Sequence, residues 1–410
     1  MLAYNHAAYI RDALNSILNQ KTDFGFEILV HDDASQDGTA EIIQDYAARY
    51  PQIIKPILQT INQHSQRIYP SVHFNYPRAK LPFVAICEGD DYWLDDAKLQ
   101  LQVNGLCANP HIDLSFHAAL RINYEDPSDP DKIYGEYASN DALIPFTDVL
   151  HRVRGWIPFA SCVIRQAAKE RFLTFLRTRP YLTVGEIYCQ LFGALPNGAL
   201  YIHRPMSVYR FRTPQSWTRR TGKEPTFKAH HELAMMRSYV ELAALTGSNY
   251  RDDFTALVLQ RLLWLFNPEP PPSTLPGVTL LAPVHEACQR ALDSTLDMLA
   301  RRSARYVIFG SASGCERVLR HVPPGKIAAI IDRDNRRAGE YLQGIPVIGP
   351  AGLNAYPDCE LIISTITANR NSVRALAREA GISVESIHHL FGGALRIVEQ
   401  SSFPAEITSP

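Results

Sequence analysis

The chain has 410 residues, more than one hydrophobic core ordinarily organises, so two or three domains are expected. Its 46% hydrophobic and 20% charged residues suit a soluble globular protein, and 41 Lys plus Arg against 42 Asp plus Glu leave no basic excess to hold nucleic acid or an anionic membrane. No run approaches the roughly 18 apolar residues of a membrane span, the opening "MLAYNHAAYIRD" lacks a signal peptide's layout, and seven scattered cysteines without a C-x-x-C pair suit a reducing cytoplasm rather than a zinc site or disulfide framework.

In chain order, Met1 opens on "LAYNH", leaving at most three residues for a first strand, whereas a central strand usually runs about five or six. The expectation is a natural start upstream of Met1; a clipped strand is the alternative. "ALNSILNQ" reads as a short amphipathic helix and "FEILV" (26–30) as an apolar strand ending at His31-Asp32-Asp33. "GTAEIIQDYAARY" has helical spacing, and "LPFVAIC" is the next strand, running into "EGDDYWLDDAKLQ". Strands separated by helices predict a largely parallel sheet, whose ligands bind at the carboxyl ends of the strands. Both acidic clusters, Asp32-Asp33 and Glu88-Asp90-Asp91, stand there. Carboxylates so close repel one another and must stay hydrated or find a cation.

From 225 to 266 the pattern is helical, and "NPEPPPSTLPG" (267–277), with five prolines in eleven residues, reads as a stiff linker. A helix over roughly 281–302 leads into "RYVIFGSASGCERVLRHV", a strand, Gly/Ser-rich turn and helix, with further strands at 326–332, 345–349 and 361–365. The expected division is 1–224, a helical and Pro-rich region 225–303, an α/β domain 304–400 and a tail 401–410.

"YNHAAYIRDALNSILNQ", "EILVHDDASQDGT" and "CEGDDYWLDDAKLQLQV" together resemble family 2 glycosyltransferases of the GT-A fold, in the family's order and over roughly 1–220. The resemblance implies an α/β domain with a mostly parallel central sheet, a nucleotide-diphosphate sugar as donor (a UDP-sugar first) and transfer with inversion. Asp33 with Asp32 would accept hydrogen bonds from base and ribose, and Tyr4 and Asn5 would line the same end. Glu88-Gly89-Asp90 stands at the family's D-x-D position, Glu replacing the first Asp. Asp90 would ligate a divalent Mg²⁺ or Mn²⁺ bridging the donor phosphates, with Asp91 in support; such ions take few carboxylates and keep waters and phosphate oxygens.

Inversion also requires a base to take the acceptor's proton. In "YLTVGEIYCQLFGALPNG" the resemblance puts Glu186 in that place, with Asp148 in "PFTDVLH" as the alternative. "GWIPFASCVIR" (155–165) resembles the acceptor side, where Trp156 would offer an apolar face and Ser161 a hydroxyl, while His117 in "LSFHAAL" reads as a core histidine. The departure is at "SVYRFRTPQSWT" (207–218): Arg212 stands where related sequences often place a metal-holding His. Guanidinium has no lone pair to give a metal but can clamp a diphosphate bidentately. Either the metal is held through Asp90 with Arg212 as a second phosphate clamp, or metal dependence is weak. Arg210, Arg219 and Arg220 add positive charge nearby.

"VIFGSASGCERVL" resembles the first unit of a Rossmann-like domain, with Gly310 and Gly314 at the turn and Asp332 where such folds hold a ribose, though the full G-x-G-x-x-G is absent. A structural or dimerising role and nucleotide binding both stay open for it. The reading as a whole is an inverting glycosyltransferase acting on a glycan or lipid-linked acceptor of a bacterial surface polysaccharide such as capsule or O-antigen. It would work in the cytoplasm or peripherally at the inner membrane face, with room for a homo-oligomer and no nucleic-acid partner. The alternatives are a catalytically silent sugar-nucleotide-binding scaffold and a bifunctional chain with a second nucleotide site.

Overall fold

The computed structural model describes the chain except residues 67, 180, 183–185, 215, 267–275, 311–312, 334, 336, 367–369 and 402–410, so most of the expected Pro-rich linker lies outside the described residues. Two compact units divide at Glu224/Pro225. The first opens with β1 (Leu2–Ala3), β2 (Ile28–Asp32) and β3 (Ile54–Leu58), a parallel sheet in the order β1-β2-β3. The helices Ile10–Leu18 and Thr39–Arg49 connect them; the first buries Ile10, Ala13, Leu14 and Ile17, the i, i+3, i+4, i+7 stripe that drives a helix onto a sheet. Cys87 from the acidic loop, Trp93 just after it and Leu99 from the helix that follows complete the core made by Val30, Ile43 and Ile54.

A second sheet holds β4 (Phe83–Ala85), β5 (Tyr92–Trp93), β6 (Leu114–Asn123), β7 (Lys132–Tyr134), β8 (Ala142–Ile144), β9 (Val163–Arg165) and β10 (Ala199–Phe211). Its order is β4-β9-β6-β10-β5, with β7 on β6 and β8 on β10. Parallel pairing here is confined to β6 with β10; the other pairings are antiparallel. The sheet is therefore mixed rather than mostly parallel, because short return strands take places that βα crossovers would otherwise fill. The N–H of Gly89 donates to the Leu2 carbonyl at 2.8 Å, so the acidic loop after β4 is tied to the end of β1.

Lys98, at the start of the helix Lys98–Ala108, is fully buried, with Nζ 4.0 Å from the Trp93 ring centre. Nζ has no hydrogen-bond partner among the described residues, and burial lowers its pKa to about 7. The unfolded chain keeps that proton up to the ordinary value of 10.5, so between these pH values it binds more protons than the folded chain and stability rises with pH. Lys98→Met is expected to stabilise unit 1 at pH 7 by about 1–3 kcal/mol and to flatten that rise. Thermal unfolding at neutral and alkaline pH checks both.

The second unit begins with two packed helices, Pro225–Thr246 and Arg251–Leu265, joined internally by a buried Arg261–Glu232 pair at 3.1 Å. The helix Pro276–Arg301 leads to β11 (Tyr306–Phe309), β12 (Ile327–Ile331), β13 (Tyr341–Leu342), β14 (Ile345–Ile348), β15 (Glu360–Ile363) and β16 (Ile387–His389). The order is β13-β14-β12-β11-β15-β16, parallel except for β13 on β14. With the β13 hairpin arm set aside, this is the 3-2-1-4-5 order of an open doubly wound sheet.

Candidate active site

The acidic loop leaves β4 with no space for a side chain at Gly89. A Cβ there would lie 2.7 Å from His6 Nδ1, 2.9 Å from the Leu2 carbonyl oxygen and 3.1 Å from Ile10 Cδ1. Glycine thus lets the loop press against β1 and brings Asp90 beside His6, whose Nε2 is 4.0 Å from Asp90 Oδ2. Asp90 Oδ2 also accepts the Thr213 hydroxyl at 2.9 Å, and its side chain keeps 15% exposure.

Asp91 is buried, and its Oδ1 accepts the backbone N–H of Arg210 at 3.0 Å. The Arg210 guanidinium donates to the Asp90 carbonyl at 2.9 Å and to Asp12, and lies over the rings of Tyr92 and Tyr9. Arg210 thus ties the loop through one backbone carbonyl and its own backbone N–H, and its charge is paired with Asp12. Glu88 is half-buried, and its carbonyl accepts the Asp91 N–H.

Among the described residues no three His, Cys, Asp or Glu side chains converge on one point. The side chains that would face an incoming divalent ion are Asp90, through Oδ2, and His6, through Nε2, 4.0 Å apart. One carboxylate and one imidazole fit a Mg²⁺ or Mn²⁺ that draws its other ligands from water and phosphate.

Asp32 and Asp33 lie at the carboxyl end of β2, where the sequence pattern places them, but their oxygens hold loops. Asp32 is fully buried and accepts from the N–H and hydroxyl of Ser35. Asp33 accepts the N–H groups of Gln63 and His64 at 2.7 and 3.1 Å. Asn5, at φ +55°, accepts the Gln36 N–H on its side chain, which ties the turn after β1 to the turn after β2; Tyr4 beside it is 41% exposed.

Two acceptor-side expectations are revised. Ser161 lines no open surface: it is fully buried and donates its hydroxyl to the Pro158 carbonyl at 2.6 Å, as a hydroxyl in a dry interior must. Trp156 is half-buried and carries the Arg152 guanidinium 3.2 Å from its ring centre, so one face is already covered. Arg212, at φ +63°, pairs with Glu125 at 3.2 Å, and it is its neighbour Thr213 that bonds Asp90. His117 is a buried core residue, and burial holds its imidazole well below the usual range, hence neutral. Asp148 sits in the helix Phe146–His151. Glu186 begins the helix Glu186–Ala194, but its side chain and residues 183–185 lie outside the described residues.

In unit 2, Gly310 has φ +103°, and a Cβ would lie 2.3 Å from Thr365 Cγ2; at Gly314 it would lie 1.7 Å from the Ser364 carbonyl oxygen. Both glycines therefore have a packing reason. Asp332 Oδ2 accepts the Arg337 N–H at 3.0 Å, within its own loop, and residues 311–312 of the turn lie outside the described residues.

Sequence reasoning missed His6 and Thr213 as partners of Asp90 and counted Arg210 only as nearby charge. The period of two along a strand, which puts Arg210 on the same face as the apolar Val208, was the available signal for an inward-facing Arg210.

A parallel β-α-β sheet whose carboxyl edge meets an acidic loop, beside a mixed second sheet, defines a GT-A-like domain. The sequence family described as Glycosyl transferase family 2 matches residues 1–161. An uncharacterized protein of Mycobacterium tuberculosis (strain ATCC 25618 / H37Rv) is 43% identical over 129 residues, 30% of this chain and 35% of that protein. The dTDP-rhamnosyl transferase RfbG of Shigella flexneri is 31% identical over 103 residues, 23% of this chain and 33% of RfbG. The crystal structure of S. aureus TarS 1-349 in complex with UDP-GlcNAc is similar with a TM-score of 0.45 at 15% identity, covering 73% of this chain and 79% of that one. The matching region spans about a third of the length of these curated relatives.

Proposed function

We propose that the protein transfers a sugar, with inversion, from a nucleotide-diphosphate donor to a glycan or lipid-linked acceptor in the assembly of a bacterial surface polysaccharide. The observation that carries this reading is Asp90, partly open in the loop after β4, held by Thr213 and facing His6 in a loop that Arg210 ties in place. The Shigella relative, named as a dTDP-rhamnosyl transferase, supports the reaction class over the segment it shares.

Asp90 and His6 would hold a divalent ion, which, when bound, supplies positive charge to the diphosphate leaving group. Arg210 keeps the loop in register through the Asp90 carbonyl and the Asp91 carboxylate, and Thr213 fixes the rotamer of Asp90. Tyr4, Asn5, Asp32 and Asp33 form the base and ribose end. The carboxylates of Asp32 and Asp33 act there by holding Ser35 and the turn Gln63–His64, and the Asn5 amide by holding Gln36, as well as by any contact to the nucleoside. Glu186 is the base that takes the acceptor proton as its oxygen attacks. The site of action is the cytoplasm or the inner membrane face; no helix among the described residues is long and apolar enough to cross a membrane.

The test is nucleotide release from UDP-, GDP- and dTDP-sugars by the intact protein with Mn²⁺, with and without bacterial glycan lipid. The reading predicts release from one donor class, accelerated by acceptor. No release from any donor would contradict it.

A further inference from the structure

Glu125 stands just past the end of β6, and three cations from two elements converge on it. Arg212 Nη1 is 3.2 Å from Oε2, Arg219 Nε is 3.8 Å and Lys223 Nζ 2.5 Å from Oε1. Arg212 comes from the end of β10, in a left-handed conformation that side chains other than glycine rarely adopt. Arg219 and Lys223 come from the short helix Trp217–Lys223. The hydrogen bond from Lys223 holds the Glu125 carboxyl below its usual range, so it is ionised. One negative charge on three positive ones leaves two uncompensated, on side chains 42%, 38% and 57% exposed. By contrast Arg220, on the same helix, pairs with its own i+4 partner Glu224. Thr213, the residue after Arg212, bonds Asp90, so the cluster adjoins the candidate site along the chain.

We infer that Arg212, Arg219 and Lys223 form a second anion site, for the diphosphate of the donor, and that Glu125 fills it as an internal stand-in which the diphosphate displaces. This rests on the sugar-transfer reading for the source of the diphosphate; the chemistry, two or more phosphate charges meeting three cations, is independent of it. Glu125 thus keeps the Arg212 turn and the helix Trp217–Lys223 gathered before the donor arrives, and lowers affinity for free anions that bring a single charge.

Calorimetry with inorganic pyrophosphate in EDTA tests this without donor, acceptor or turnover, so its failure is distinguishable from failure of the transfer reading. Glu125→Gln is expected to bind pyrophosphate at least about tenfold more tightly than the wild type, because the internal competitor is gone. Glu224→Gln makes the same change in net charge just past the helix that carries Arg219 and Lys223 and is expected to stay within about twofold. Adding Arg219→Ala and Lys223→Ala to Glu125→Gln should remove the gain. Glu125→Ser repeats the test without an amide that can bond the cluster. Equal effects of Glu125→Gln and Glu224→Gln, a gain that survives loss of Arg219 and Lys223, or no pyrophosphate binding by any variant would each overturn the inference.

Discussion

Asp90→Asn is expected to lower kcat/KM for sugar transfer by about 1,000-fold, near 4 kcal/mol of transition-state stabilisation, with the fold unchanged. Asparagine has the same shape, and its Oδ1 can still accept the Thr213 hydroxyl that Asp90 accepts at 2.9 Å. What disappears is the partly open negative charge that faces His6, while Asp91 is buried against the Arg210 N–H. A hard divalent ion loses most of its attraction to the site when a carboxylate becomes an amide. Steady-state nucleotide release gives the rate, and thermal unfolding shows whether the structure survives. Asp91→Asn should behave differently, weakening the bond that fixes Arg210 and lowering stability as well as rate. An Asp90→Asn variant that kept more than about a tenth of the activity would remove Asp90 from the mechanism.

Gly314→Ala is expected to destabilise unit 2 by about 3 kcal/mol, because the new methyl meets a backbone oxygen rather than a movable side chain. The Cβ would lie 1.7 Å from the Ser364 carbonyl oxygen, just past β15, so the helix Ser313–His321 or the end of that strand has to shift. Hydrogen exchange on the full chain reads this directly. Protection should fall in β11, β12 and β15 and persist in β2 and β6, which belong to the other unit. Unchanged protection in β11 would show that the close approach is not a constraint.

The residues explain which of these features can be read from the chain alone. β2 and the acidic loop announce themselves, since an apolar run ending in carboxylates is local information, and the strands at 327–331, 345–348 and 360–363 are compact apolar runs of the same kind. The partner of Asp91 is not local. Arg210 lies 119 residues away, and only the register of β10 against β5 and β6 brings it there. Ser161 fails for the same reason: a hydroxyl in a loop and a hydroxyl under a sheet have one sequence, and the Pro158 carbonyl that receives it is set by the 3₁₀ turn Phe159–Ser161. Arg212 was legible as an anion-seeking residue, whereas Glu125, 87 residues upstream, was not legible as the anion it meets. β16 follows a Gly381 turn and ends in two histidines, a pattern too polar to stand out as a strand.

The most direct test of the central claim is a thermal-shift titration of the intact protein with nucleotide-diphosphate sugars, with and without Mn²⁺, in wild type and Asp90→Asn. At 100 times its dissociation constant a donor should stabilise the wild type by about 2.7 kcal/mol. The account predicts that this shift requires Mn²⁺ and is lost in Asp90→Asn. A shift of the same size without the ion and in the Asp90→Asn variant would contradict it, moving the diphosphate away from the loop after β4.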